Sequence, residues 1–226
     1  MKLIDLHTHT FFSDGVLSPA ELVYRYKNNG CEALAITDHV DYSNLDFILD
    51  SIIKVRPKLE KYYNIKIIMG VELTYIPPGD IENMVKLARK KGAELVIVHG
   101  ESSAEQVPPG TNMSGVRAGC DILAHPGHLS EEAAKIAEER NVFLELTTRK
   151  GHRDTNKEVI QTGKKFGCNF VLNTDAHVPE DILDQQKIKE VLQNCFLEKD
   201  YYEKKLIKNS IKIVKKCIEK RAVQEV

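Results

Sequence analysis

Short apolar runs alternate with longer amphipathic stretches, about seven of each, and that alternation narrows the fold of this chain more than any other feature. The runs are Leu3–Leu6, Ala33–Ile36, Ile65–Val71, Leu95–Val98, Ile122–Ala124, Val142–Leu146 and Phe170–Leu172. They are apolar nearly throughout, as parallel strands covered on both faces must be. The stretches between them carry helix punctuation. Ser18-Pro19-Ala20-Glu21 has the form of a capping box with proline in the first turn, and Gly30 can close that helix. Asp80 can cap a further helix that Gly92 ends, and Ser130 precedes two acids, Glu131 and Glu132, where the helix dipole favours them. Residues 156–167 repeat the plan. Strand–helix alternation of this regularity predicts an α/β protein, either a barrel or a doubly wound sheet.

No long linker, low-complexity tract or close internal repeat interrupts the pattern, so residues 1–226 are expected to form one domain, its main body spanning about 1–195. At about 199–221, from Lys199 to Arg221, the chain becomes lysine-rich and helical, with Leu206, Ile207, Ile211, Val214 and Ile218 at helical spacing. An amphipathic helix on the outside of the main body is expected, its lysine face in solvent, with a nucleic-acid or partner contact as the alternative. A net charge of −1 and a pI near 6.7 give no global attraction to nucleic acid or anionic membranes. The five cysteines are odd in number and lack CxxC spacing, which suits free thiols in a reducing compartment. Nothing resembles a signal peptide and no apolar run approaches a membrane span, so a cytoplasmic protein with no membrane partner is expected. Oligomeric state stays open, since the apolar residues of the last helix suit either a dimer or packing on the chain's own main body.

The chemistry lies in the histidines. His7 and His9 follow the first run as His-x-His, His39 follows the second, His99 the fourth, His125 the fifth and His177 the seventh. Glu72 sits just past the third run and Asp175 beside His177. In a parallel β/α barrel the carboxyl ends of all strands open onto one face, so residues distant in sequence converge there. His-x-His on extended backbone points both rings to one side. Mixed imidazole and carboxylate donors suit zinc, manganese or iron. A lone histidine after a strand is more often structural; six of them with Glu72 and Asp175 point to a metal centre.

The motifs are Asp5-Leu6-His7-Thr8-His9-Thr10 with Ser13-Asp14-Gly15, then Ile36-Thr37-Asp38-His39, Gly70-Val71-Glu72, Val98-His99-Gly100-Glu101, Ala124-His125-Pro126 and Asn173-Thr174-Asp175-Ala176-His177. In this order and combination, from about residue 3 to 180, the chain strongly resembles the PHP family, the polymerase-and-histidinol-phosphatase superfamily of metal-dependent phosphoesterases. The resemblance implies a distorted seven-stranded (β/α)7 barrel, here with an extra C-terminal helix. It also implies two or three divalent metal ions, zinc, manganese or iron. On the family pattern His7, His9, Glu72 and Asp175 hold the first, and Glu72 bridges to a second completed by His99 and His125. Asp14, His39 and His177 hold a third. Some members have histidine near Asp14, where this chain offers a carboxylate.

His128 and His152 fall outside these motifs; His128 is expected to be a loop residue near the site without a metal role. His152 lies in the loop after the sixth run, which is either a solvated turn or a phosphate clamp made by Arg149, Lys150 and Arg153, since arginine can make two parallel hydrogen bonds to phosphate. Glu101 is a candidate for orienting a metal ligand. The expected activity is hydrolysis of a small phosphomonoester, such as histidinol phosphate, by a metal-activated hydroxide. Glu72, Asp14, Asp38 and His177 are the catalytic candidates, the last three as acids for the leaving group. Alternatives are a phosphodiesterase or 3′–5′ exonuclease on nucleotides or single-stranded DNA, with the lysine-rich helix holding the strand, and a metal-dependent binding module without turnover. An amidohydrolase-like C–N hydrolase is a further outsider. Specificity is expected from the loops at Phe11–Leu17, Thr74–Gly79, Glu101–Asn112 and Thr147–Asn156.

Overall fold

The computed structural model describes residues 2–224. Each of the seven apolar runs forms a strand, and all pairings between strands are parallel: β1 (Leu3–Asp5), β2 (Cys31–Ile36), β4 (Lys66–Leu73), β5 (Leu95–His99), β6 (Ile122–Ala124), β7 (Phe143–Thr147) and β8 (Phe170–Asn173), with a two-residue strand β3 (His39–Val40) between β2 and β4 in the chain. The order is β1-β2-β4-β5-β6-β7-β8, and the circle draws shut between its first and last strands. There Leu6 N donates to Asn173 Oδ1 at 3.0 Å, Asp175 N to His7 O at 2.9 Å and His9 N to Ala176 O at 2.9 Å. The architecture is therefore a distorted seven-stranded barrel and not an open doubly wound sheet.

The distortion has a local cause. β2 pairs with the first half of β4, from Ala33 opposite Lys66 to Ile36 opposite Met69, then breaks at Thr37 and Asp38. The chain resumes as β3, which places His39 opposite Glu72 and Val40 opposite Leu73. Along β5 the residues Leu95 to Val98 have no exposed surface, as expected where helices cover the outside and packed side chains fill the inside.

Around the strands run α1 (Pro19–Asn28), α2 (Leu45–Tyr63), α3 (Ile81–Lys90), α4 (Thr111–Ala118), α5 (Glu131–Glu139), α6 (Asn156–Lys165), α7 (Gln185–Asn194) and α8 (Ile207–Gln224). Ser18 Oγ accepts from Glu21 N at 3.2 Å, but the Glu21 carboxylate turns to Arg25, so only half of the expected capping box forms. Asp80 precedes α3 without capping it, because Tyr42 Oη and Asn83 Nδ2 take up its carboxylate. Ser130 caps α5 as expected, accepting from Ala133 N. All five cysteines are buried and unpaired.

The lysine-rich segment departs from expectation in its place. α8 does not lie along the outside of the barrel but crosses its amino-terminal mouth. Asn209 Nδ2 donates to Phe170 O at the start of β8, Lys216 pairs with Asp121 just before β6, and Tyr202, in the turn leading into α8, donates to Lys2 O before β1. Arg221 reaches Glu94 before β5, Glu60 on α2 and the Ile67 carbonyl on β4. Leu206, Ile207, Ile213, Val214 and Cys217 are buried beneath it. Among the described residues no helix is long and apolar enough to cross a membrane.

Candidate metal centre

At the opposite, carboxyl-terminal mouth, the strand ends bring together all nine side chains of the family pattern. Glu72 projects from β4 into the middle, fully buried. Its Oε1 lies 3.3 Å from His7 Nε2 and 3.5 Å from His125 Nε2, and its Oε2 lies 3.5 Å from His9 Nε2 and 2.8 Å from His39 Nδ1. Asp175 Oδ1 stands 3.0 Å from His9 Nε2 and 3.6 Å from His7 Nε2. Asp14, the exposed member, sits at the rim with Oδ1 3.1 Å from His177 Nε2 and Oδ2 3.6 Å from His39 Nε2. Among the described residues five sets have donor atoms within 4.8 Å of one another; two of them draw in Glu145 and His152, and three are made of the expected ligands alone: His7, His9 and Asp175; Glu72, His99 and His125; and His9, Asp14, His39 and His177. These three follow the expected grouping, with His9 shared between the first and third and Glu72 at the junction.

The backbone is held in unusual conformations to achieve this. His125 and Asp175 have positive φ, 23° and 55°, a region that non-glycine residues rarely occupy and that recurs where a side chain must be aimed. Gly100, after His99, lies so close to β6 that a Cβ would come 2.1 Å from Ala124 O. Only glycine fits there.

A layer of buried polar residues fixes the rings. Glu145, on β7, places Oε1 2.9 Å from His7 Nδ1 and 2.7 Å from Asn173 Nδ2, while Oε2 accepts from His125 N at 3.1 Å. It thereby directs the other His7 nitrogen, Nε2, into the site. Sequence reasoning missed Glu145; its signal was one acidic residue inside an apolar strand. Asp5 accepts from Tyr26 Oη, Thr174 Oγ1, Thr174 N and His7 N, tying β1 to the loop after β8.

Other sequence candidates find different work. Asp38 is buried, and its carboxylate accepts from Thr10 N at 2.7 Å, Thr10 Oγ1 at 2.8 Å and Ser13 Oγ at 2.8 Å. It anchors the loop carrying Asp14 and does not face the cleft as an acid would. Glu101 accepts from Gly110 N and Asn112 N, bracing its own loop and no metal-ligand ring. Arg149 reaches the site: Nη1 donates to Asp175 O at 2.9 Å and touches His177 Nδ1, and Nε lies 3.4 Å from Asp175 Oδ2. Its two partners in the expected clamp do not join it. Lys150 is exposed, and Arg153 turns to Glu190 on α7 at 3.5 Å. His128 is exposed and pairs with Glu158. His152 is buried beside His125, so its loop is no solvated turn.

Burial works to lower the His39 pKa, but Glu72 and Asp14 outweigh it and push it up to about 10. His7 is raised likewise, with Glu145 foremost against burial. Burial works to raise Glu72, yet the His7, His39 and His99 rings hold it well below the usual carboxylate range. Asp175 moves upward through burial. Without ions, therefore, protonated rings neutralise the central carboxylates.

Eleven buried nitrogen and oxygen atoms of the nine side chains, including both oxygens of Glu72, both nitrogens of His9 and Nε2 of His7, His99 and His177, have no hydrogen-bond partner, nor has Nδ1 of His152. Unpaired buried polar atoms are rare and costly, and their concentration here, on imidazole and carboxylate, fits divalent cations. Beside Asp14 and His39 opens a cleft of about 260 Å³, lined also by Asp41, Thr74, Tyr75 and Glu105.

Comparison with known proteins shows the family and the fold. The PHP domain profile matches residues 5–214. An uncharacterized protein of Methanocaldococcus jannaschii is 44% identical over 213 residues, covering 90% of this chain and 98% of that one. A probable phosphatase of Clostridium novyi is 27% identical over 233 residues, covering 91% and 93%. A solved two-domain protein of Bacteroides vulgatus, containing a predicted PHP-like metal-dependent phosphoesterase, shares the fold with a TM-score of 0.54 at 18% identity, over 85% of this chain and 62% of that chain.

Proposed function

The chain belongs to the PHP domain family, as a metal-dependent phosphoesterase, and from that premise we propose that it is a phosphatase acting on a small phosphomonoester, with histidinol phosphate a candidate substrate. The convergence of nine imidazole and carboxylate side chains, eight of which turn buried atoms without hydrogen-bond partners into the site, carries the reading. His7, His9, Glu72 and Asp175 would hold one divalent ion, and Glu72, His99 and His125 a second. Asp14, His39 and His177 would hold a third, each ion being zinc, manganese or iron. When bound, such ions supply Lewis acidity and lower the pKa of coordinated water.

The chain's own residues do the rest. Arg149 is the cation poised at the mouth, and its guanidinium would take phosphoryl oxygens as charge gathers on them. Asp14, which lines the cleft, and the buried His177, 3.1 Å from it, form the pair that would hold the leaving group's proton wherever the third donor set is unfilled. Asp38 is dropped from that role because its oxygens already accept three hydrogen bonds.

The test is the metal content of gently purified protein together with phosphate release from a panel of monoesters, diesters and amides. Two or three ions per chain, with monoester turnover that chelation abolishes, is the expected result. Preferential cleavage of diesters or of single-stranded DNA would replace the reading with the nuclease one, and turnover of amides alone with C–N hydrolysis. Bound metal without turnover of any ester would leave a binding module.

A further inference from the structure

The loop between β7 and α6 brings a tenth ligand-type side chain to the site. His152 is only 4% exposed, and its Nδ1 is buried with no hydrogen-bond partner. Its ring centroid stands 4.3 Å from that of His125 and 6.2 Å from that of His99. His125, His152 and Asp175 can each offer an atom within 4.8 Å of the other two. Two donors bound at about 2.1 Å to one ion lie no more than about 4.2 Å apart, so a small ring movement brings His152 and His125, the residue shared with the Glu72 and His99 set, to coordinating separation.

The loop is built to put it there. Asn156 grips the end of β7 from both sides, its Oδ1 accepting from Thr147 N at 3.0 Å and its Nδ2 donating to Thr147 O at 2.7 Å. Gly151, at φ 90°, reverses the chain into a short 3-10 turn, His152–Thr155, and a Cβ on it would come 3.1 Å from the Ala104 Cβ. Buried histidines that serve only packing have their nitrogens hydrogen-bonded. This one presents an unpaired nitrogen among metal-ligand types.

We propose that His152 is a further protein donor to the ion that His125 binds, standing beside Glu72 and His99 around it. The assignment rests on the divalent-metal reading above. It gives that position three imidazoles, which favours zinc or iron over magnesium.

Chelator competition with zinc, and the visible absorption of cobalt-loaded protein, compare wild type with His152→Ala, His152→Gln and, as a control, His128→Ala. Both His152 variants should bind one ion at least ~10-fold more weakly with an altered cobalt spectrum, the remaining ions and the control being unaffected. The metal-free variants should unfold in urea no more readily than wild type, because an unpaired nitrogen has been removed. Unchanged affinity and spectrum would overturn the proposal. So would intact metal binding combined with weaker binding of inorganic phosphate to loaded protein, which would make His152 a substrate contact. Intact metal binding with a destabilised metal-free protein would make it a packing residue. Wild type that takes up no divalent ion would overturn the metal reading itself, an outcome separable because it appears before any variant is made.

Discussion

Glu145 spends both carboxylate oxygens on the site, holding His7 through its ring nitrogen and His125 through its backbone amide. Glu145→Gln keeps the shape but loses the charge and sets an NH2 donor against either the His7 and Asn173 side or the His125 amide. Metal affinity should fall ~10–100-fold, read by chelator competition, while unfolding by urea changes little. Unaltered affinity would show that His7 needs no such partner. A second prediction concerns protons. Glu72 and Asp14 push His39 up to about 10 and Glu145 and Glu72 raise His7, in each case against burial, so the metal-free site carries protonated rings at neutral pH. An ion must displace those protons, and affinity must therefore rise with pH and stop rising only once His39 is deprotonated. Between about pH 7 and 9, zinc uptake should release at least about one proton per chain, visible as buffer-dependent heats in calorimetry. Buffer-independent heats would contradict the charge assignment. Eight of the nine motif residues could be read from sequence because each lies at or within four residues of the carboxyl end of a strand, where neighbouring residues announce it, whereas Asp14 lies on the loop after β1. Glu145 lies within a strand and has no such context, and Asp38 was misjudged because adjacency to His39 in the chain says nothing about which way a carboxylate faces at a break between strands.

Among the elements, strands were legible because burial on both faces leaves an unbroken apolar run. The exception is β3, whose two residues are too few to make a pattern and exist as a strand only because β4 continues past the break in β2. α2 runs for 19 residues through Pro57, which lacks the amide a helix interior uses, and buries Ile48, Leu49, Ile52 and Arg56 on one side. α8 was legible as a helix and not in its location. Its apolar spacing shows that one face is covered, but covering by the barrel's flank and by its base look alike in sequence. The base location follows from charge partners remote in the chain. Arg221 joins Glu94, 2.7 Å away and almost fully buried, to Glu60 and the Ile67 carbonyl. Arg221→Ala should cost about 2–3 kcal/mol in urea unfolding, because Glu94 would keep Arg56 but lose its second cation. Arg221→Lys should recover only part of that, since an ammonium cannot span all three acceptors. An unshifted midpoint in both variants would mean that α8 is peripheral to the fold.

At the scale of the whole molecule the barrel has two poles with separate tasks. The metal-ligand cluster occupies the carboxyl-terminal mouth, and α8 seals the amino-terminal one with Lys208, Lys212 and Lys215 beside Asn141 and Phe143. This separation counts against one of the functions that the sequence left open. An exonuclease using the lysine-rich helix to hold its strand would need that helix near the scissile phosphate, whereas the length of the barrel lies between them. The cation proposed to meet the substrate is Arg149, a single guanidinium beside Asp175. Replacing Lys208, Lys212 and Lys215 together by glutamine should therefore leave kcat/KM for phosphomonoesters unchanged within about twofold, at low salt and at high. Arg149→Ala should lower it by ~100-fold or more, as losing a donor aimed at developing charge does. Any affinity for single-stranded DNA that the lysine variant loses would then belong to a surface uncoupled from hydrolysis. If the triple variant instead lost turnover on nucleic acid in proportion to binding, the substrate would have to wrap from one pole to the other, and the chain would be a nuclease whose grip lies a full barrel away from its metals.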